Sequence, residues 1–97
     1  MNEMENSMII RQHYIFKGEV QGVGFRYTAQ YLAQSLGLTG WVKNNWDDSV
    51  EMEVQGEEEA IEKLISGLYG GRHIYINDVK KNLMQVDEDE RSFHIRY

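Results

Sequence analysis

The sequence predicts an α+β fold in which one mainly antiparallel sheet packs on two helices as a two-layer sandwich. Three observations carry that expectation: strand-like alternation of apolar and polar residues in several stretches, two stretches with apolar residues at helical spacing, and glycines where one period gives way to the other. At 97 residues there is room for one domain, able to bury roughly two-thirds of the surface its unfolded chain exposes. No internal repeat, low-complexity run or linker marks a second one.

Residues 1–7 are polar, acidic and without pattern, so disorder is expected there and the domain is expected to occupy residues 8–97; Met1, Met4 and Met8 are equally placed as its start. From Gln12 the chain alternates as a strand, with Tyr14, Phe16, Gly18 and Val20 on one face and His13, Ile15, Lys17 and Glu19 on the other. Ile15 makes the second face more than polar, which suits a central strand. Phe25, Ala29, Leu32, Ala33 and Leu36 then fall on one side of a helix that Gly37 stops. Thr39 to Trp46 reads as a second strand, and Val50, Met52 and Val54 against Glu51, Glu53 and Gln55 as a third. Asp47-Asp48-Ser49 between them predicts a hairpin turn.

Ile61, Leu64, Ile65 and Leu68 give a second helical stripe, opened by Glu57, Glu58 and Glu59, which suit the positive end of a helix dipole, and closed by Gly70-Gly71. Ile74 to Val86 is strand-like with mixed parity, as expected of an edge strand or a bulge. Asp87 to Glu90 reads as a solvated turn, and Ser92 to Tyr97 as a closing strand with Phe93, Ile95 and Tyr97 on one face. The order β-α-β-β-α-β with a short final strand is the split βαβ, or ferredoxin-like, plan.

Ten basic residues against sixteen acidic ones leave a net charge of −6, which argues against nucleic acid or an anionic membrane as partner. The absence of cysteine excludes disulfides, thiolate catalysis and cysteine metal sites, and no apolar run reaches the length of a membrane span or a signal peptide. A soluble, cytoplasmic chain is expected. Any anion site in so acidic a chain must be local.

The stretch Gly18-Glu19-Val20-Gln21-Gly22-Val23-Gly24-Phe25-Arg26 has the makings of such a site. Gly22 and Gly24 permit a tight turn whose N–H groups converge, and the free N–H groups of the following helix add donors and partial positive charge. Arg26 falls in the first helical turn, where the dipole disfavours a cation, so an anion is expected beside it. Asn44 lies 18 residues beyond Arg26 (44 − 26), a separation that one helix and a turn can span to reach the same strand end. Its amide can accept a hydrogen bond from water and donate another to an oxyanion.

The string from Gly18 to Arg26 resembles the first signature of the acylphosphatase family. Gly40-Trp41-Val42-Lys43-Asn44, followed by Val50 and Gly56, resembles the second. Glycine at position 24 is similar to bacterial members. The resemblance implies the ferredoxin-like fold and metal-free hydrolysis of acyl phosphates to a carboxylate and inorganic phosphate, with no cofactor. It also implies that Arg26 binds the phosphate, that Asn44 positions the attacking water, and that the backbone of Gln21, Gly22, Val23, Gly24 and Phe25 completes the cradle.

The residues fit that chemistry independently. No cysteine nucleophile exists, and His13, His73 and His94 are scattered. Arginine, asparagine and amides suit a carboxyl phosphate, whose carboxylate departs without protonation, better than a phosphate monoester, whose leaving group needs acid or metal help. The family usually has glycine where this chain has Asp48, a residue that tolerates a left-handed conformation better than most, though at some cost.

Other residues have plainer readings. Trp46 is expected to pack rather than to flank an acyl group, Asp47 and Asp48 to form a turn rather than hold a cation, and Tyr27 and Tyr31 to be half-buried beside the helical stripe. Lys43 is either a source of positive potential beside Asn44 or an outward strand lysine. A non-catalytic anion sensor or accessory module of the same fold is the alternative function, and an RNA-binding module is disfavoured by the charge.

Overall fold

The computed structural model describes residues 8–97, and the segment 1–7 expected to be disordered lies outside the described residues. The elements are β1 (Ile9–Glu19), α1 (Phe25–Ser35), β2 (Thr39–Asn44), β3 (Val50–Glu57), α2 (Glu58–Tyr69), β4 (Tyr75–Met84) and β5 (Phe93–Arg96). They form the expected two layers, two helices on one five-stranded sheet of order β4-β1-β3-β2-β5. All neighbours run antiparallel except β2 and β5.

Residues opposite one another across a ladder share a face. Phe16 opposes Val50, Tyr14 opposes Met52, and Val42 opposes both Met52 and Ile95, so the alternation seen along each strand becomes one apolar surface. Onto it α1 buries Phe25, Ala29 and Ala33, and α2 buries Ile61, Leu64 and Leu68. Phe16 lies at the centre, stacked on Tyr14 at 5.4 Å and tilted against Phe25 at 5.0 Å. Each such fully buried large side chain contributes roughly 1.5–3 kcal/mol. Tyr27 and Tyr31, expected half-buried, are exposed instead. They occupy the side of α1 turned away from the sheet.

The mixed parity of the fourth strand has both expected causes. β4 is an edge, and its pairing passes from Lys17–Asp78 to Gly18–Ile76, which leaves Asn77 as a bulge. Lys80 and Lys81 on that open edge discourage pairing with another chain.

Two further expectations are corrected. β2 ends at Asn44 rather than Trp46, because the chain turns at Asn45–Ser49; Trp46 projects from the tip, 96 % exposed, where no layer reaches it. The segment after β4 is not simply a solvated turn. It must pass from one edge of the sheet to the other, and side chains from the central strands fasten it on the way. Gln55 mimics a neighbouring strand, donating to the Asp87 carbonyl at 2.9 Å and accepting from the Asp87 N–H at 2.8 Å. Arg11, only 4 % exposed, binds Glu90 through Nη1 at 2.8 Å and Nη2 at 3.2 Å, and Glu53 through Nε at 3.0 Å. Burial pulls the Arg11 guanidinium down, but the bonds to Glu90 and Glu53 outweigh it and hold its pKa above the ordinary value. No helix among the described residues is long and apolar enough to cross a membrane.

Candidate active site

Because β3 is antiparallel to both β1 and β2, those two strands are parallel to each other, and β5 is parallel to β2. The carboxyl ends of β1, β2 and β5 therefore meet at one end of the sheet. The first delivers the glycine turn and the start of α1, the second Asn44, and the third Tyr97.

At the turn Gly22 has φ 74° and Gly24 φ 79°, left-handed values that glycine adopts without penalty. A β-carbon at either would meet nothing within 4 Å, so the side toward the site is open. Gly24 caps α1 without a side chain to bond the helix N–H groups, and the first helical bond is Thr28 N–H to the Gly24 carbonyl at 2.9 Å. The N–H groups of Phe25, Arg26 and Tyr27 thus have no acceptor within the helix.

Asn44 has the parity of Gly40 and Val42, which turns it toward the helix layer at the strand's last position. Its Oδ1 is buried and has no hydrogen-bond partner among the described residues. Gly22, Gly24, Phe25, Arg26 and Asn44 line one cavity of about 240 Å³, together with Val20 and Tyr27. Gln21 and Val23 border a neighbouring hollow with Gly18 and Asp48.

Among the described residues Arg26 forms no ion pair. Its guanidinium lies over the Tyr97 ring, 5.0 Å from the centroid. The neighbouring Tyr27 hydroxyl raises the Tyr97 phenol above its ordinary value, while Arg26 pulls it the other way. Lys43 has the opposite parity to Asn44 and sits between Glu51 and Arg96 on the outer face, so it is an outward strand lysine.

The hairpin beyond Asn44 is tightly bonded. Asn45 N–H reaches the Ser49 carbonyl at 2.9 Å, and Asp47 accepts from the Ser49 hydroxyl at 2.6 Å and the Ser49 N–H at 3.1 Å. Those bonds hold the Asp47 carboxyl below its usual range and account for it as a turn former. Asp48 has a left-handed conformation, φ 72°. Gln21 reaches across to this hairpin, its Nε2 donating to the Asn45 and Ser49 carbonyls at 2.8 Å each.

The family model for acylphosphatase matches residues 12–95. The chain belongs to the acylphosphatase family. An acylphosphatase of Geobacillus kaustophilus is 44 % identical over 95 residues, covering 90 % of this chain and 94 % of that one. One from Clostridium beijerinckii is 41 % identical over 90 residues, covering 92 % of this chain and all of its own. The crystal structure of acylphosphatase from Bacillus subtilis superposes with a TM-score of 0.83 at 34 % identity, over 93 % of this chain and 100 % of that one.

For an acylphosphatase, whose chemistry is hydrolysis of an acid anhydride, the arrangement brings the expected Arg26, Asn44, Gly22, Gly24 and Phe25 around one space. Two side chains beside this space were not singled out from sequence. Tyr97 was legible only as a strand residue, although its parity already placed it on the helix side. The side chain of Gln21 gave no signal, since a bond spanning 24 residues follows no local period.

Proposed function

We propose that this acylphosphatase hydrolyses acyl phosphates by direct attack of a water that Asn44 positions, while Arg26 and the N–H groups from Gly22 to Arg26 hold the phosphoryl group. Phosphoryl transfer asks for positioning and charge stabilisation more than for covalent chemistry from the protein. The guanidinium and converging amides face the phosphoryl oxygens, and the Asn44 oxygen accepts a hydrogen bond from the water. The water oxygen forms the new bond to phosphorus, the bond from phosphorus to the carboxyl oxygen breaks, and the carboxylate leaves with that electron pair. The water's proton passes to the phosphate product or to solvent.

One observation carries this reading: uncommitted donors and an uncommitted buried acceptor line the same cavity. The test is chelator-treated hydrolysis of benzoyl phosphate alongside inorganic phosphate binding. Arg26→Ala is expected to lose phosphate affinity and about 10²–10³-fold in turnover. Asn44→Ala is expected to keep phosphate affinity and lose turnover. Equal loss of phosphate affinity in both variants would contradict this division of labour.

A further inference from the structure

We propose that the side chain of Gln21 is a positioning residue for Asn44, a clamp that sets how far the end of β2 stands from the phosphate cradle; this deepens the mechanism above and rests on it. Gln21 opens the glycine turn, and its carboxamide crosses to the opposite hairpin, where Nε2 donates to the Asn45 and Ser49 carbonyls, both at 2.8 Å. Those two residues close the hairpin through their own backbone bond. An amide nitrogen with two N–H groups suits two carbonyls side by side; a hydroxyl has one donor and a carboxylate none.

Asn45 directly follows Asn44, so a clamp on its carbonyl fixes the Asn45–Trp46 peptide, one residue beyond the side chain that lines the cavity. The buried Asn44 oxygen has no partner of its own among the described residues, and its aim is therefore inherited from the backbone. On one side that backbone is held by pairing of Asn44 with Val50 in β3. On the other it is held by Gln21. The Gln21 side chain borders the neighbouring hollow and not the phosphate cavity, so it acts through Asn44 rather than on the phosphoryl group.

The experiment compares Gln21→Met, Gln21→Glu, Asn44→Ala and the double variant Gln21→Met/Asn44→Ala in steady-state hydrolysis of benzoyl phosphate, with inorganic phosphate as inhibitor and chemical unfolding as a check of folding. Gln21→Met is expected to lose roughly 10–100-fold in kcat, as small misplacements of a reacting group do. Its KM and its inhibition by phosphate are expected to stay within about twofold of the parent, because the cradle is untouched. Gln21→Glu should fall at least as far, with a carboxylate set against two carbonyl oxygens. The double variant should be no slower than Asn44→Ala, since without the amide there is nothing left to aim. Phosphate inhibition lost in step with kcat, additive losses in the double variant, or failure of both Gln21 variants to fold overturns the proposal. A parent without activity overturns the hydrolytic mechanism instead, and an active parent whose kcat is unmoved by Asn44→Ala overturns the role of Asn44.

Discussion

Arg11 and Arg26 sit at opposite ends of the same sheet and are treated in opposite ways. Arg11 is buried and spends its donors on Glu53, Glu90 and Gln55. Arg26 has a single aromatic face beside it and, among the described residues, no carboxylate. The same contrast holds for the amides nearby. Gln55 satisfies both the N–H and the carbonyl of Asp87, whereas the Asn44 oxygen is left unmatched. A buried polar group without a partner costs about 1–3 kcal/mol, so the fold gains nothing from leaving Asn44 in that state. The difference teaches where to look for chemistry: Arg11 and Gln55 are committed to architecture, whereas Arg26 and the Asn44 oxygen line one cavity without a polar partner among the described residues.

Swapping the perturbation between the two ends is the strongest way to break this comparison. Arg11→Ala is expected to cost about 3–5 kcal/mol in urea unfolding, because it strands two partly buried carboxylates, while the folded fraction keeps its kcat. Arg26→Ala is expected to leave the unfolding midpoint close to the parent's. An Arg26 variant as destabilised as the Arg11 variant would mean that both arginines are structural.

Tyr14 sharpens the same contrast through pH. Burial, reinforced by the charges of Glu62 and Glu58, pushes its phenol from 10.0 to about 12. The folded protein then holds this proton more tightly than the unfolded chain does. The associated stability is complete below pH 10 and is lost as pH rises through about 12. Thermal melting of Tyr14→Phe should therefore decline less steeply than the parent between those values, and identical slopes would exclude Tyr14 as the cause. The smallest effect is expected at the hairpin. Asp48→Gly relieves a left-handed aspartate and should stabilise by up to about 1 kcal/mol with kcat unchanged, which unfolding midpoints and initial rates would check.

The layers and most of the site were legible because they are written in short periods. Alternation in β1 and β3, the stripes Phe25–Ala29–Ala33 and Ile61–Leu64–Leu68, and two glycines before Arg26 each follow from local geometry. What escaped was long in range or deceptive in composition. Trp46 looked like a strand residue because it is apolar and follows Asn44 closely, yet turn tips accept apolar residues when nothing lies above them. Glu90 looked solvated because it stands among acids, and its partner Arg11 is 79 residues away. Arg11 itself precedes the stretch in which alternation is clear. Tyr27 and Tyr31 failed for a simpler reason: a single layer of two helices on one sheet leaves the outer side of α1 bare.

The strand order carries a consequence for how the molecule is made. Every residue from Gly22 to Asn44 is present before half of the chain has been synthesised, but β1 and β2 are not neighbours; β3 lies between them. A nascent chain that has emerged only to Asn44 carries those residues and none of their arrangement. At roughly 5–20 residues per second, β3 follows within seconds, and β5, which brings Tyr97 onto Arg26, only after the chain has crossed the whole sheet. A ribosome paused with the chain emerged only to Asn44 would therefore display Arg26 and Asn44, the residues we propose act on the substrate, without the sheet that brings them together.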